Sequence, residues 1–215
     1  MAYDLEEQEQ IATLKAWWND YGNLVIAGVA ACAFTIAGWQ GWRYYQSSQA
    51  RAAVTLYEQL DQAERAGDHK KVRDIAAEIT GKYASTPYSA FAALSAARGS
   101  FDTGDLAAAK AQLQWVVDNV KEDEIRDVAR LRLAGVLLDE KKLEEALALV
   151  DVKPVESMTG LYADLKGDIL LAQGKRAEAR SAYQLALDRS EAGSPYRATL
   201  QLKLEALGDA TPAAR

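Results

Sequence analysis

Cysteine and histidine are almost absent from this 215-residue chain, which contains one of each. Cys32 lies inside the longest apolar run, so the rest of the chain has no thiol for a disulfide or a thiolate nucleophile. His69 stands in a Gly-Asp-His-Lys-Lys turn, where a solvated loop residue is expected rather than a general base. A metal site would need further ligands that such a chain does not offer. We therefore predict no catalytic residue and no metal.

Glycine-rich loops are also missing, because Gly160, Gly167 and Gly174 stand alone within or between helical stretches. No run of glycines opens a helix after a strand, which is the arrangement that cradles phosphate groups. The acidic clusters at 122–124 and 139–140 fit solvated helix ends. These absences predict a protein without enzyme activity, without a cofactor and without a small-molecule substrate.

Positive charge is scarce as well, with 25 lysines and arginines against 31 aspartates and glutamates, for a formal net charge of -6. Residues 1–21 contain five acids and one lysine, a net charge of -4, which leaves -2 for all the other residues. No block or stripe of basic residues is present. The electrostatic footprint of a nucleic-acid-binding protein is therefore missing, and we exclude that class.

The most distinctive stretch that is present runs from Gly22 to Trp42 and contains no charged side chain. At about 1.5 Å per residue, a helix of this length spans a hydrocarbon core of roughly 30 Å. Aromatic rings flank it on both sides, as they do at membrane interfaces. The predicted membrane-interface residues are Trp17, Trp18, Tyr21, Trp39, Trp42, Arg43, Tyr44 and Tyr45. We predict that residues 22–42 form a single transmembrane helix.

Two alternatives to a membrane span are open. A buried helix of a soluble core would also be apolar, but such helices seldom run this long without a polar face. Residues 29–32, Val-Ala-Ala-Cys, resemble a bacterial lipoprotein cleavage site, although the preceding segment is acidic and the apolar run continues beyond Cys32. An uncleaved signal anchor fits this pattern better.

The segment before the span, residues 1–21, has apolar residues spaced three to four apart from Ile11 onward. This spacing indicates a short amphipathic helix that contacts a protein partner or the lipid surface, and a solvated tail is the alternative. Basic residues barely specify the orientation, because Arg43 and Arg51 follow the span and Lys15 precedes it. That margin of one residue favours a cytoplasmic C-terminal side.

From Tyr44 onward the chain is rich in helix-forming residues, and all four prolines lie after residue 86. Similar turns begin at Gly67, Gly104, Lys141 and Gly174, at spacings of 37, 37 and 33 residues. This period is close to the 34 residues of a tetratricopeptide repeat, which consists of two helices joined by a turn. The predicted fold is all-α, with an N-terminal single transmembrane helix followed by a tetratricopeptide-like helical repeat solenoid.

We predict that the solenoid covers residues 43–208 and ends in a helix from Tyr196 to Leu207. Leu200, Leu202, Leu204 and Leu207 of this helix are expected to cover the open end of the stack. Residues 209–215 are expected to be a disordered tail.

The first helices of stacked repeats form a wall that typically holds a segment of another protein. Alignment of the repeat units on their turns indicates which residues face this wall. For each apolar residue, the alternative to partner binding is ordinary packing between helices. The predicted partner-binding residues are Phe91, Leu94, Arg98, Phe101, Leu131, Leu138, Asp164, Asp168 and Leu171. Phe91 and Phe101 are the first choices for mutation.

Three segments of the chain resemble a known family. They are Trp17–Gly22 (WWNDYG), Gly38–Tyr45 (GWQGWRYY) and Ala163–Gly174 (ADLKGDILLAQG). Together with the repeat pattern, they resemble the YfgM family of Gram-negative inner-membrane proteins, which are ancillary subunits of the SecYEG protein translocon. The likeness extends almost from end to end.

The resemblance implies a single-pass anchor in the bacterial inner membrane, with residues 1–21 in the cytoplasm and the repeat domain in the periplasm. This orientation opposes the one-residue charge margin. It also implies association with the SecYEG translocon, with a membrane-anchored periplasmic chaperone of the prolyl-isomerase-like type and with exported client proteins, and it supplies no catalytic residue. The alternative is a repeat scaffold that coordinates cell-envelope or cell-division machinery, or that sequesters a cytoplasmic regulator.

Overall fold

The computed structural model describes residues 2–208, with side chains from Glu9 onward. Over this range the regular elements are all helical, which confirms the predicted all-α class. The helices are α1 (Ala2–Arg65), α2 (His69–Lys82), α3 (Pro87–Asp102), α4 (Leu106–Asn119), α5 (Asp123–Asp139), α6 (Leu143–Val150), α7 (Thr159–Ala172), α8 (Arg176–Asp188) and α9 (Tyr196–Ala206). A short 3-10 helix, Glu156–Met158, precedes α7. The predicted tail, residues 209–215, lies outside the described residues.

Helix α1 continues without a break through the predicted N-terminal segment, the predicted span and the start of the predicted repeat domain. By its contacts the chain divides into two compact units, of which the first ends at Arg51 and the second begins at Ala52. In the first unit the apolar side chains of Leu24, Val29 and Phe34 are exposed. Among the described residues, α1 is the one helix long and apolar enough to cross a membrane. Within the described residues protein does not cover this apolar stretch, which fits a candidate membrane span better than the buried core helix of a soluble fold.

Four turns with the same backbone geometry punctuate the second unit. Gly67, Gly104, Lys141 and Gly174 have φ values of 70°, 78°, 60° and 80°, in the left-handed region. At each turn the next amide donates to a carbonyl five residues earlier, as Asp68 N donates to Ala63 O at 2.9 Å. This is the Schellman arrangement, which satisfies the last carbonyls of a helix and reverses the chain. The turns that the sequence predicted therefore lie at the predicted positions.

The helices of the second unit pack in chain order, each against the next, and α5 also packs on α7. The core cluster shared by α2 and α3 includes Ala76, Ala92 and Ala96, which are fully buried. Such small side chains let paired helices approach closely. Leu60 and Ala63, at the end of α1, complete this first layer of the core. The arrangement confirms the tetratricopeptide-like solenoid.

Helix α9 covers the C-terminal end of the stack, as predicted, but one of the four leucines predicted to cover this end does not take part. Leu200 is fully buried, and Leu204 and Leu207 pack against the core formed by α7 and α8. Leu202 is 65% exposed, so its predicted role in covering the end was wrong. Two residues correspond to about 200° of rotation around a helix, which puts Leu202 on the opposite face from Leu200.

Candidate protein-interaction surface

The aromatic residues predicted at the membrane interface all lie exposed on α1. Trp17 and Tyr21 contact each other before the apolar run, with ring centroids 5.9 Å apart, and Trp42 and Tyr45 do so after it, at 6.1 Å. From Tyr21 to Trp39 the helix rises by about 27 Å, which is close to the thickness of a hydrocarbon core. These positions suit rings at two headgroup layers, and the assignment of the rings to an interface stays a prediction.

In the second unit, a first pocket opens between the first helices of successive repeats. Its apolar wall comes from Tyr57 of α1, Phe91 and Leu94 of α3, and Ile125 and Val128 of α5, and its volume is about 480 Å³. Phe91 is 43% exposed and meets the ring of Tyr57 edge to face at 6.5 Å. Two residues that the sequence predicted for partner binding, Phe91 and Leu94, therefore line one pocket.

A second pocket of about 520 Å³ lies further along α3, between α3, α4, α5 and α7. Phe101, which is 45% exposed, forms one side, and Leu138 of α5 and Leu165 of α7 form another. Gly135 of α5 also faces this space, and a Cβ atom added to it would meet no atom within 4 Å. The pocket therefore owes part of its volume to a missing side chain.

Arg98 and Arg132 are the two charged residues that line both pockets, so they stand at the common boundary. Both side chains are exposed. The Arg98 guanidinium has one carboxylate nearby, that of Asp102 at 3.9 Å, and within residues 2–208 Arg132 has no carboxylate within 4.0 Å. Among the residues that the structure describes, Arg98 has one long ion pair and Arg132 has none, which leaves both guanidinium groups available to an external acceptor.

Leu131 and Leu171 were predicted for partner binding but line neither pocket. Leu131 is half-buried and packs against the central core, which favours the packing alternative for this residue. Leu171 is exposed near the end of α7. A partner role for either residue stays a prediction.

Asp164 and Asp168 lie in a terminal carboxylate cluster, which we define as Asp164, Asp168, Tyr183, Tyr196 and Lys203. The Lys203 ammonium donates to Asp164 Oδ1 at 2.8 Å and to both carboxylate oxygens of Asp168 at 2.7 and 2.8 Å. The hydroxyls of Tyr183 and Tyr196 donate to Asp168 and Asp164 at 2.7 and 2.5 Å. These bonds fasten α9 and α8 to α7, so the geometry assigns both aspartates a structural role.

Burial and hydrogen bonds shift the pKa values of three groups in the terminal carboxylate cluster. Burial raises the pKa of the Tyr183 and Tyr196 hydroxyls, and the carboxylates that accept their hydrogen bonds raise it further. Burial lowers the pKa of the Lys203 ammonium, but its bonds to Asp164 and Asp168 outweigh this and raise the pKa overall. All three groups hold their protons more tightly in the folded chain than in the unfolded one.

These shifts predict a loss of stability in alkali. A raised pKa contributes stability that is complete below the unfolded pKa, about 10 for tyrosine, and that is lost as the pH rises through the folded pKa. At pH 11 these tyrosines lose their protons in the unfolded state but keep them in the folded state. The unfolding free energy at pH 11 is therefore lower than at pH 8 by about 1.4 kcal/mol for each tyrosine. Thermal unfolding followed by circular dichroism should show a fall of about 3 kcal/mol from pH 8 to 11 for Tyr183 and Tyr196 together.

The control for this pH effect is the double variant Tyr183→Phe/Tyr196→Phe, which keeps both rings and removes both titrating hydroxyls. It should be less stable than the unmodified protein at pH 8, because two buried hydrogen bonds are lost. Its stability should then decline less between pH 8 and 11. Equal declines in the two proteins would contradict a role for these hydroxyls.

Several residues of the two pockets were missed by the sequence reasoning. Arg132 follows Val128 by four residues and so lies on the same helix face, a signal that was present in the sequence. Tyr57 lies at the end of α1, before the first turn used for the alignment. Gly135 lacks a side chain, so its contribution to the second pocket appears only in the folded structure.

No group of three or more His, Cys, Asp or Glu side chains within the described range is placed to hold a metal ion. The two pockets offer apolar contact, the guanidinium groups of Arg98 and Arg132 at their common boundary, and at least one carboxylate in each pocket.

Comparison with known proteins connects this architecture with one family. A family model described as a tetratricopeptide repeat-like domain matches residues 15–209. Relatives named "Ancillary SecYEG translocon subunit" occur in Neisseria gonorrhoeae, with 32% identity over 96% of this chain and 100% of the relative, and in Escherichia coli, with 28% identity over 94% and 96%. A third relative with this name, from Haemophilus influenzae, is 27% identical over 86% of this chain and 91% of the relative. No solved structure matches the chain.

The names of these relatives point to an adaptor without catalytic activity, and together with the apolar helix α1 they indicate association with a membrane. The match covers nearly all of the chain, including both the apolar run and the repeats. The chain therefore belongs to the YfgM family, the tetratricopeptide repeat-like proteins named as ancillary subunits of the SecYEG translocon.

Proposed function

We propose that this protein is a membrane-anchored protein-interaction subunit that associates with the SecYEG translocon, links it to a membrane-anchored periplasmic chaperone of the prolyl-isomerase-like type and assists exported proteins. The observation that carries the proposal is the near-complete alignment with relatives whose printed name is ancillary SecYEG translocon subunit. The uncovered apolar stretch of α1 supports the anchor, and the pockets between the first helices support protein binding.

The proposed location is the bacterial inner membrane, with the N-terminal segment in the cytoplasm and the repeat domain in the periplasm. The family resemblance supports this orientation. The excess of one basic residue after the span opposes it weakly, because long domains are translocated largely regardless of such charges.

The proposed mechanism is binding and tethering without chemistry. A membrane anchor keeps the two pockets near the translocon, which raises the local concentration of the binding surface for chains that emerge there. A shallow pocket with low intrinsic affinity is then sufficient. This mechanism needs exposed apolar side chains, and Phe91 and Phe101 provide them.

Photocrosslinking in living cells tests the proposal. A photoreactive amino acid at Trp42, beside the apolar run, should crosslink to translocon subunits, and one at Phe101, in the second pocket, should crosslink to a periplasmic chaperone or to newly exported chains. The same substitution at Lys153, which is exposed in the loop before α7, is the matched control and should give neither product. The same strains should show activity of an alkaline phosphatase fused to the C-terminus, because that enzyme requires the periplasm to form its disulfides.

The proposal fails if Trp42 captures no translocon subunit, or if the phosphatase fusion is inactive while the protein accumulates normally. Capture of cell-division or envelope scaffolding proteins in place of translocon subunits would instead support the alternative role as a scaffold.

A further inference from the structure

The two pockets and the two arginines form one continuous surface along α3 and α5, which we name the arginine-centred groove. On α3 the order is Phe91 and Leu94 in the first pocket, Arg98 at the boundary and Phe101 in the second pocket. On α5 the boundary residue is Arg132. The surface thus presents an apolar site, a positively charged centre and a second apolar site in a line.

The length of this line sets the size of an occupant. Helix α3 rises about 1.5 Å per residue, so the first pocket, at residues 91–94, lies about 10–15 Å from Phe101. An extended peptide advances about 3.3 Å per residue, so four residues cover about 13 Å. In an extended chain, residues i, i+2 and i+4 also point to the same side. Two apolar side chains at i and i+4 match the two pockets, and the side chain at i+2 then meets the arginines.

The charge at the centre selects the residue at i+2. Arg98 and Arg132 present planar guanidinium groups that bind carboxylates through paired hydrogen bonds. Acids also face the pockets, but Glu64 and Glu124 line only the first pocket and Asp139 only the second, and none of the three lies within 4.0 Å of either guanidinium in the described structure. The position shared by both pockets is therefore the positive one.

We infer that the arginine-centred groove binds an extended peptide segment in which an acidic residue is separated by one residue on each side from two large apolar residues. Arg98 and Arg132 hold the carboxylate, and the apolar side chains enter the first and second pockets. The inference rests on the proposed role in protein interaction and adds to it the chemistry of the segment that is recognised.

The direct test uses the full-length protein in lipid nanodiscs and a fluorescein-labelled peptide of sequence Gly-Phe-Ser-Glu-Ser-Phe-Gly. Binding is measured by fluorescence anisotropy, with empty nanodiscs as the blank. Replacement of the peptide glutamate by glutamine should weaken binding about tenfold, because the charge-assisted hydrogen bonds are lost. A peptide with the phenylalanines two residues apart should bind no better than a peptide without phenylalanine, because it cannot reach both pockets.

Variant Arg132→Gln tests the charged centre. It should weaken binding of the glutamate peptide about tenfold and abolish the difference between the glutamate and glutamine peptides. Because Arg132 forms no ion pair within residues 2–208, this substitution should leave the melting temperature unchanged. Variant Lys70→Gln is the control for net charge, since it also removes one positive charge and Lys70 is exposed on α2 outside the groove, and it should bind like the unmodified protein.

Variant Gly135→Leu tests the second pocket without harming the fold. The added side chain enters open space and replaces glycine in a helix, so binding should fall at least tenfold while the melting temperature holds or rises. Variant Gly81→Leu is the matched control, because Gly81 of α2 is exposed, its Cβ would meet no atom within 4 Å, and it lies outside both pockets. It should leave peptide binding unchanged.

The inference is overturned if the peptide does not bind, and three further results would also overturn it. They are equal affinity for the glutamate and glutamine peptides, full binding by Gly135→Leu, and a dimer in analytical ultracentrifugation that Gly135→Leu dissociates. The last result would make a second copy of this chain the occupant. If the peptide does not bind while Trp42 still crosslinks to the translocon, only this inference fails and the proposed function stands.

Discussion

Replacement of Gly167 by alanine should destabilise the repeat domain, although alanine is the better helix former. A Cβ atom at Gly167 would lie 2.5 Å from Cδ1 and Cε1 of the Tyr183 ring, which is 1% exposed and therefore has little room to move. Overpacking of this kind costs about 1–3 kcal/mol, and here the hydrogen bond from Tyr183 to Asp168 further restricts the ring. We expect a net loss of about 2 kcal/mol after the gain in helix propensity, or a fall in melting temperature of about 6 °C.

The control for Gly167→Ala is the same substitution at Gly81, where the added Cβ meets no atom within 4 Å. That variant should be unchanged or more stable by up to about 1 kcal/mol. The double variant Gly167→Ala/Tyr183→Leu should recover part of what its two single variants lose together, because the ring that clashes is gone. If Gly167→Ala melts at or above the temperature of the unmodified protein, the close contact is not a constraint on the fold.

Replacement of Lys203 by methionine should have an effect of similar size at the C-terminal end. The variant leaves the carboxylates of Asp164 and Asp168 side by side without a cation, and these side chains are only 14% and 31% exposed. Removing one partner of a fully buried ion pair costs about 3–5 kcal/mol, and because Lys203 is 28% exposed we expect about 2–3 kcal/mol. Helix α9 should also become accessible to trypsin at Arg197, which mass spectrometry of the fragments would detect.

The triple variant Asp164→Asn/Asp168→Asn/Lys203→Met should be more stable than Lys203→Met, because it removes the uncompensated charge. Variant Lys142→Met is the matched control for Lys203→Met, because it removes another lysine that pairs with a carboxylate. Its ammonium lies 3.0 Å from Glu140 and is 45% exposed, and Glu140 keeps a second cation in Lys110. The expected loss there is below about 1 kcal/mol. Equal losses at Lys142 and Lys203 would contradict the role of the terminal carboxylate cluster.

The features that the sequence predicted are those that depend on neighbouring residues. The four turns were recognisable because a left-handed residue at the end of a helix favours glycine, and three of the four positions carry one. The fourth, Lys141, was found from the 37-residue spacing. The apolar run was equally visible because the length and charge of a span are local properties.

Other features depend on residues that are distant in the chain. The alignment of the repeats on their turns placed Asp164 and Asp168 on a partner-binding wall, whereas the structure joins them to Lys203, which lies 39 and 35 positions away in the chain. No local sequence pattern predicts such an ion pair. The continuity of α1 was missed for a different reason, because composition changes at residues 22 and 43 while helix propensity does not.

The closing of the stack by α9 has a consequence for assembly. An open solenoid end exposes an apolar face that matches the opposite end of another copy, which is the geometry that produces open-ended filaments. Here Leu200 of α9 is fully buried against Ala163 and Ala186, and Lys203, between the two aspartates, fastens that covering helix in place. We therefore expect that the C-terminal end of this stack does not join the N-terminal end of another copy.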